Sequence, residues 1–600
     1  MNKKLLFAIL GFYVLTIGAV YALDVPQNSA NKSDESLSVK SDEQQNKKSG
    51  TSSPTEEQSK TSGFLDYIDM NNWQYNEQDK VYYQLGITYC KTPEDPAYEK
   101  LALFVPEEYM SCKINMLTDR RMCSINQTGM VQFYKSTNAP IIIKIDAPGY
   151  ASIPALTEYK DFTDYTKEGM IYLHVGARGR EHGAPAGVTD FKAAIRYIRR
   201  NIGVIPGSAN RIIVRGMGNG GGLAVILGVS GDSALYTPYL QQIGAVEGGR
   251  SDVVNAIAVW SPIMNLDTAN EAYEWSFGQT RKDMTKEQQS LSDAMAKAYA
   301  QYINHAGFMI GRNGALTLQQ SDEGVYQFGT YYDYIRSLVG EAFTKFIRTI
   351  HFPYVTHAYE EKEMYQKKAG RSFRGVDLAA EDDEMRTAVY PTFEPAGSYL
   401  TLDRYFVHLN EGKEWLTYSI RQKQVEITDM AVFARLMKPA TKPIGAFDSL
   451  HRTQAENILF GIGDGKGLHF DRYTAKIMEN TPYEKEFKAD FKVQDKLGRT
   501  VSQRVDMYNP LYFIMPSYQG FRTAKATPLW RIRSGLWQSD TPLTTEVNFF
   551  LALDNFLRDY TGFHQIDFQM IWEAKHEEAE LKGSSTDNFI EWIKKLTEPT

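Results

Sequence analysis

The glycine-rich stretch at residues 211–222 constrains the fold of this chain more than any other feature. It runs Arg-Ile-Ile-Val-Arg-Gly-Met-Gly-Asn-Gly-Gly-Gly, so a β-branched strand passes directly into a glycine turn. Small and apolar residues follow and predict a helix from about Leu223 to Leu227. A strand, a tight turn and a helix in this order are typical of layered α/β proteins. We therefore expect a sheet covered by helices.

Strands alternate with helical segments on both sides of this stretch. The alternation stops from about Asp267 to Tyr508, where the sequence is helical, loop-rich and charged, and it resumes near Leu529. A mostly parallel sheet flanked by helices and interrupted by a large cap is the plan of the α/β-hydrolase fold. The first two strands are predicted to be antiparallel. The predicted strands are 81–86, 98–105, 141–145, 170–175, 212–214, 257–260, 529–533 and 568–572, and the last two predicted helices are 542–557 and 589–596.

Composition divides the chain into five predicted segments. Two lysines precede an apolar run at residues 5–23, which predicts an export signal cleaved after Ala22, with an uncleaved membrane anchor as the alternative. The following polar segment has too little apolar surface to offset its ordering entropy, so we expect a disordered linker. In either case the folded part is expected outside the cytoplasm, secreted or anchored. The segments are signal or anchor 1–22, linker 23–63, core 64–267, cap 268–508 and core 509–600.

Charge and cysteine content exclude several classes of function. The net charge is -7, without long blocks of one sign, so we expect no nucleic-acid partner. No cluster of cysteine and histidine has zinc spacing, so we expect no structural metal. The three cysteines, Cys90, Cys112 and Cys123, allow one disulfide in an oxidising compartment, and the sequence leaves their pairing open.

Gly218 stands at the centre of the frame Gly216-Met-Gly218-Asn-Gly220. In the α/β-hydrolase fold the frame Gly-x-Ser-x-Gly follows a strand and holds a serine nucleophile on a strained turn. This chain has the strand, the turn and the helix, and it lacks the hydroxyl. The same residues also spell the dinucleotide fingerprint G-x-G-x-x-G, but no acidic residue follows about 20 positions later, at residues 238–242. We expect no nucleotide cofactor, and we interpret the glycines at 461–467 as a turn.

Four blocks of sequence share their order, spacing and unusual residues with one known group of proteins. They resemble the bacterial subtype B tannase and feruloyl-esterase group of α/β-hydrolases, and the likeness extends from about Trp73 to Trp592. The blocks are residues 73–90, 176–180 with 187–197, 445–448 with 455–461, and 530–541 with 572–576.

The resemblance implies the positions of a catalytic triad. The family's serine falls on Gly218, and its histidine falls on His576, after the last predicted strand. The family's acid falls on Gln538. Asp540 corresponds to a carboxylate that lies against the galloyl hydroxyls in the family, so here it is either the triad acid or a ligand contact.

The resemblance also implies a pocket for an aromatic ester. Lys442 and Glu456 fall on the family's other galloyl-binding positions, although outside the resemblance both would be interpreted as solvated surface charges. The oxyanion donors would be the backbone N–H groups of Asn219 and of the segment near Gly149.

Together these features imply an exported tannase-like protein that holds an aromatic or polyphenolic ester and turns it over poorly, because Gly218 replaces the nucleophile. One alternative is a working carboxylic-ester hydrolase, if serine occupies position 218 in the natural form or another residue takes its role. A further alternative is a surface scaffold without a ligand. The oligomeric state is left open.

Overall fold

The structure, a computed structural model, describes residues 65–322, 324–356, 397–419, 421–560 and 562–597. The predicted signal segment and the whole of the predicted linker fall outside these ranges. Apart from the last turn of the C-terminal helix, every element below belongs to one compact unit, Phe64–Ile593. Within the described ranges, the helices are too short or too polar to cross a membrane.

A nine-stranded sheet forms the centre of this unit. The strands are β1 (Gln74–Asn76), β2 (Val81–Thr88), β3 (Lys100–Pro106), β4 (Ile141–Ile145), β5 (Ile171–Val175), β6 (Ile212–Met217), β7 (Ala256–Trp260), β8 (Leu529–Gly535) and β9 (Gln565–Ile571). Across the sheet they follow the order β1, β2, β3, β5, β4, β6, β7, β8, β9. The pairs from β1 to β5 along this order are antiparallel, and every neighbouring pair from β5 to β9 is parallel.

The apolar runs that predicted the parallel strands form the middle of the sheet. Nearly all residues of β4, β6 and β7 are buried, as expected for strands covered by helices on both faces. Their parallel register pairs Val214 with Ile143 on one side and with Ile257 on the other. This register brings the carboxyl ends of the strands to one edge, where the loops that follow them meet.

Helices cover the sheet and fill most of the region between β7 and β8. They comprise Thr163–Thr166, Ala186–Asn201, Gly218–Val229, Thr237–Gln242, Ala269–Phe277, Lys286–Ala306, Thr330–Ile347, Leu402–Leu409, Met430–Met437, Ala455–Leu459, Arg472–Ile477, Glu484–Asp490, Val501–Tyr508, Pro510–Ile514, Thr544–Leu557 and Ser585–Thr597. Short 3-10 turns lie at Glu107–Tyr109, Pro148–Tyr150, Arg180–His182, Ala234–Tyr236, Leu266–Thr268 and Gly278–Thr280.

The helix after β6 begins earlier than the sequence predicted. It starts at Gly218, not near Leu223, so the glycines lie inside its first turn. Packing explains their presence. A Cβ atom at Gly220 would lie 2.4 Å from the carbonyl oxygen of Ile145, and one at Gly222 would lie 2.0 Å from that of Ile263. The glycines therefore allow the helix to approach neighbouring backbone closely.

The inserted region was predicted to be helical, and it also contains two small antiparallel sheets. Tyr354–Val355 pairs with Ser398–Tyr399, and Leu416–Ser419 pairs with Gln424–Ile427. The second pair is held to helix Thr330–Ile347, because the Thr344 hydroxyl accepts a hydrogen bond of 2.8 Å from the Val425 N–H. Among the described residues, the region between β7 and β8 adds no strand to the main sheet.

A hairpin beside the sheet carries the disulfide. Strands Met110–Ile114 and Arg121–Ile125 pair directly, and Cys112 lies opposite Cys123 in a disulfide. Cys90 is a buried free thiol whose pKa is raised by burial. A further small pair joins Met130–Val131 to Tyr134–Lys135. The pairing that the sequence left open is therefore Cys112 with Cys123.

Candidate active site

Four segments meet at the carboxyl edge of the parallel strands. The loops after β4, β8 and β9 carry Gly149, Gln538 and His576, and the helix that directly follows β6 begins with Gly218. Backbone hydrogen bonds join the last two loops, because the N–H of Trp537 donates to the carbonyl of Ala574 at 2.8 Å. The sheet thus brings together residues that are far apart in the sequence.

Gly218 faces the histidine directly. Its φ angle is +55°, the left-handed conformation in which the elbow of this fold holds its nucleophile. A Cβ atom added to Gly218 would lie 2.8 Å from His576 Nε2, and its three nearest atoms all belong to the His576 ring. A side chain at position 218 would therefore point at the imidazole. The ring lies slightly too close for a serine and would have to shift.

The glycines at positions 216–222 differ in the atoms that an added side chain would contact. This difference predicts how a substitution changes the free energy of unfolding. A Cβ atom at Gly220 meets the backbone oxygen of Ile145, which cannot move without disturbing β4. We expect Gly220→Ala to lower the free energy of unfolding by roughly 1–3 kcal/mol through overpacking. Urea unfolding measures this. The matched control is Gly314→Ala, because no atom lies within 4 Å of its added Cβ and its φ is not positive. Equal stability of the two variants would contradict the packing.

The Nδ1 atom of His576 is surrounded by oxygen atoms. Gln538 Oε1 lies at 3.0 Å, Thr541 Oγ1 at 3.4 Å and Asp540 Oδ2 at 3.4 Å. Two of these neighbours are pure acceptors, so the neutral ring carries its proton on Nδ1 and donates it to Gln538. The lone pair of Nε2 then faces Gly218, as a general base requires.

Gln538 is held in one orientation by a buried carboxylate. Its amide nitrogen donates to Glu546 Oε1 at 3.0 Å and to Ser534 Oγ at 3.1 Å, which leaves its carbonyl oxygen for His576. Glu546 is fully buried, and burial raises its pKa. Position 538, where the sequence resemblance implied an acid, therefore carries a neutral amide that is backed by the carboxylate of Glu546.

Buried ion pairs anchor the loop that carries His576. Arg215, on the central strand β6, pairs with Glu578. Arg531, on β8, pairs with Glu580 at 2.6 Å, and the indole N–H of Trp260 donates to the same carboxylate at 2.9 Å. These contacts fix the loop beneath His576 to the sheet.

The predicted oxyanion donor near Gly149 is already engaged. The Gly149 N–H donates to Asn219 Oδ1 at 2.8 Å, so it is not free to bind an oxyanion in this conformation. The side chain next to Gly218 thus takes up that N–H, and the role of the backbone near Gly149 as an oxyanion donor stays a prediction. The backbone N–H of Asn219 itself lies in the first turn of its helix, where N–H groups have no intrahelical acceptor.

The two predicted ligand contacts occupy different environments. Glu456 is only 4% exposed, and its Oε1 accepts a hydrogen bond of 3.4 Å from the Asn219 amide. Lys442 is partly buried, with its Nζ 4.0 Å from the centroid of the Phe447 ring. The Tyr273 hydroxyl connects the Lys442 loop to the Asp540 segment, since it accepts from the Lys442 N–H at 3.0 Å and donates to the Ser539 carbonyl at 2.8 Å.

Sequence reasoning missed three side chains at this site. Glu546, the Asn219 amide and Tyr273 each act through a hydrogen bond to a residue distant in sequence or on another element. Glu546 lies in the first turn of a helix, where an acidic residue is common for electrostatic reasons alone. No local pattern therefore distinguished it.

Comparisons with known proteins concern the fold of the chain. Residues 132–308 match the family model described as BD-FAE. No curated protein matches the chain. Among solved structures, the native tannin acyl hydrolase from Lactobacillus plantarum has a TM-score of 0.60 and 24% identity, over 86% of this chain and 94% of that chain. The Fusobacterium nucleatum tannase has a TM-score of 0.61 and 22% identity, over 86% and 95%.

A further match is a tannin acyl hydrolase in complex with ethyl gallate, with a TM-score of 0.60 and 23% identity, over 86% of this chain and 94% of that chain. At these identities the likeness concerns the architecture of the chain. Together with the nine-stranded sheet and the elbow at Gly218, it shows that this chain has the α/β-hydrolase fold, in the arrangement found in bacterial tannases.

Proposed function

We propose that this chain is an exported binding protein for phenolic esters, with an ester-hydrolase site that is disabled at one position. The observation that carries the proposal is the geometry at position 218, where the His576 ring faces a glycine. A Cβ atom added to Gly218 would lie 2.8 Å from His576 Nε2. The rest of the constellation supports it, because Gln538 and Glu546 still hold the histidine in the tautomer that a base needs.

The ligand class follows from the solved relatives and the charged residues. Tannin acyl hydrolase structures with this fold were solved in complex with ethyl gallate and in complex with 3,4-dihydroxybenzoate. In this chain Glu456 is buried beside Asn219, and Lys442 lies in a loop tied to the segment of Asp540. Carboxylates and an ammonium group suit the hydroxyl groups of a phenol, which both donate and accept hydrogen bonds.

The absence of a nucleophile predicts little or no turnover. Without a member of the triad, hydrolases retain only about 10³–10⁴-fold acceleration, from the oxyanion hole and from binding. Here the second oxyanion donor is occupied by Asn219, so even this residual activity is reduced.

The disulfide Cys112–Cys123 supports export of the chain, because disulfides persist mainly outside the cytoplasm.

Calorimetric titration of the full chain with ethyl gallate tests the proposal. We expect saturable binding without release of gallate, and Glu456→Gln or Lys442→Met should each weaken binding about tenfold, or about 1.4 kcal/mol. Lys466→Met is the matched control, because Lys466 is highly exposed on another loop. Rapid release of gallate would instead favour a working esterase, and absence of binding would favour a scaffold.

A further inference from the structure

An apolar turn ends the disulfide-linked hairpin of residues 110–125. Its Met116 and Leu117 side chains are 84% and 95% exposed, and Ile114 and Met122, on the adjoining strand ends, are exposed as well. Single exposed apolar residues are common on protein surfaces, whereas several at one place indicate an interaction surface. We call these four side chains the apolar tip.

The hairpin holds the apolar tip in a defined conformation. The disulfide Cys112–Cys123 joins the two strands two residue pairs below the turn. Within the turn, the Asn115 side chain accepts a hydrogen bond of 3.0 Å from the Leu117 N–H, and the Asn115 N–H donates to the Arg120 carbonyl at 2.8 Å. A partner that covers the tip therefore does not have to order it first, which lowers the entropic cost of binding.

Basic residues flank the apolar tip, although the chain as a whole carries a net charge of -7. The hairpin contains Lys113, Arg120 and Arg121 and a single acidic residue, Asp119. Lys113 is exposed, Arg120 is partly buried, and Arg121 lies 5.0 Å from the centroid of the Tyr75 ring. Apolar side chains beside lysine and arginine are typical of surfaces that bind bilayers with anionic headgroups.

The chain enters its folded unit beside this hairpin. The Cys123 N–H donates to the Met70 carbonyl at 2.8 Å, and Trp73 and Arg121 exchange two backbone hydrogen bonds. The compact unit begins at Phe64, a few residues earlier. The segment that the sequence predicts to be an export signal or membrane anchor is therefore joined to the unit next to the hairpin.

We propose that the apolar tip is a docking surface for an anionic lipid bilayer. Met116 and Leu117 enter the boundary between headgroups and acyl chains, and Lys113 and Arg120 contact the lipid phosphates. Specific protein–protein interfaces bury roughly 1,200–2,000 Å² in total, more than this tip offers, whereas a fluid bilayer adapts to a single turn.

The docking surface is separate from the candidate active site. The hairpin pairs with Trp73, which directly precedes the edge strand β1, whereas Gly218 follows the central strand β6. The inference therefore goes beyond the proposed ester binding and does not rest on it.

Quenching of a tryptophan placed in the turn tests the docking. The full chain with Leu117→Trp is mixed with vesicles of phosphatidylcholine and phosphatidylglycerol whose acyl chains are brominated, because bromine quenches tryptophan only at contact distance. The unaltered chain has 8 tryptophans, and their signal is subtracted. We expect the added fluorescence to fall at least twofold. No quenching of the added tryptophan would overturn the proposal.

Lys466→Trp is the matched control, because Lys466 is highly exposed on another loop. We expect its added fluorescence to stay unquenched. An anchor at residues 5–23 would bring both variants to the vesicle, so the difference between them reports on the hairpin alone. Equal quenching of the two variants would overturn the proposal.

Reversal of one charge tests the preference for anionic lipid. In the Leu117→Trp background, Lys113→Glu should raise the lipid concentration at half-maximal quenching about tenfold, and vesicles of phosphatidylcholine alone should quench weakly. Lys466→Glu changes the net charge equally and should leave the quenching unchanged. Quenching that ignores both the lipid charge and Lys113→Glu would contradict the anionic surface.

Sedimentation of the full chain without vesicles tests the rival occupant, a second copy of the chain. We expect Leu117→Ser to leave the sedimentation coefficient unchanged, because the tip is free until lipid is added. A dimer that Leu117→Ser dissociates would show that another copy covers the apolar tip, and it would overturn the proposal.

Discussion

Gly218→Ser is expected to turn this chain into an ester hydrolase, with kcat on small aryl esters about 10³–10⁴-fold above that of the unaltered chain. The new side chain would point at His576 Nε2, which already faces that position. A complete serine triad contributes about 2 × 10⁶ in kcat. The engaged Gly149 N–H affects both forms alike, so it does not change this ratio. The triad acid alone accounts for about 3 × 10⁴ of that factor, so a triad without it retains roughly 10². Gln538 supplies the orienting role of the acid but not its charge, so the expected gain lies between the value for a triad without the acid and that for a complete triad.

The substitution of Gly218 by serine should also lower the free energy of unfolding. Serine at φ +55° adopts a conformation that glycine tolerates better, and the His576 ring must move by several tenths of an ångström to admit the Cβ atom. Backbone strain of this kind costs roughly 1–3 kcal/mol. A serine variant that is active and less stable than the unaltered chain would show that the glycine relaxes the elbow.

Stopped-flow hydrolysis of p-nitrophenyl acetate and intact mass of the acyl-enzyme measure the effect. Gly218→Ala is the matched control, because it adds the same Cβ atom without a hydroxyl and should remain inactive. If the serine variant forms no acyl-enzyme while Gly218→Ala folds normally, the proposed triad geometry is wrong. Rapid hydrolysis by the unaltered chain would contradict the assignment of position 218 as the disabling one.

The main strands were predictable from the sequence, and the reason is their burial. Strands such as β4 and β7 are almost entirely apolar because both faces of a parallel sheet are covered, and such runs stand out without any other information. The start of the helix at Gly218 was not predictable in this way. Glycines usually indicate a turn, and here they permit close packing against Ile145 and Ile263, which only the folded chain reveals.

The candidate site was predictable only in part for a related reason. Gly218 and His576 lie at the ends of strands, so the order of elements and the resemblance located them. The side chains that decide the chemistry around them do not follow any spacing. Asn219 reaches Gly149 across 70 positions, and Tyr273 reaches Ser539 across 266. Such contacts depend on rotamers and on loop packing in three dimensions.

Glu546→Leu in the Gly218→Ser background is expected to lower kcat about 10–10²-fold with little change in KM. Without the carboxylate, the Gln538 amide loses its main acceptor and can turn its nitrogen toward His576 Nδ1. The ring must then carry its proton on Nε2, and it cannot act as a base. A neutral amide in the wrong orientation lowers kcat by about 10⁴ in a serine protease. Here Ser534 still favours the productive orientation, so the loss is smaller.

Glu546→Gln is the matched control, because its amide oxygen can still accept from the Gln538 nitrogen, and kcat should be largely retained. Nitrogen NMR shifts of the His576 ring follow the tautomer directly. They can also be measured in the unaltered chain, so the prediction does not depend on activity. A proton that stays on Nδ1 after Glu546→Leu would contradict the role of Glu546.

A double-mutant cycle with Gln538→Asp separates positioning from simple destabilisation. An aspartate at 538 orients His576 with either oxygen and needs no support, but it places a second acid beside the buried carboxylate of Glu546. In that background Glu546→Leu removes a like charge, so it should leave kcat unchanged or raise it. A purely structural effect of Glu546→Leu would instead lower activity with either residue at 538. Loss of activity in the Gln538 background and none in the Gln538→Asp background would therefore identify Glu546 as the residue that holds the Gln538 amide in its productive orientation.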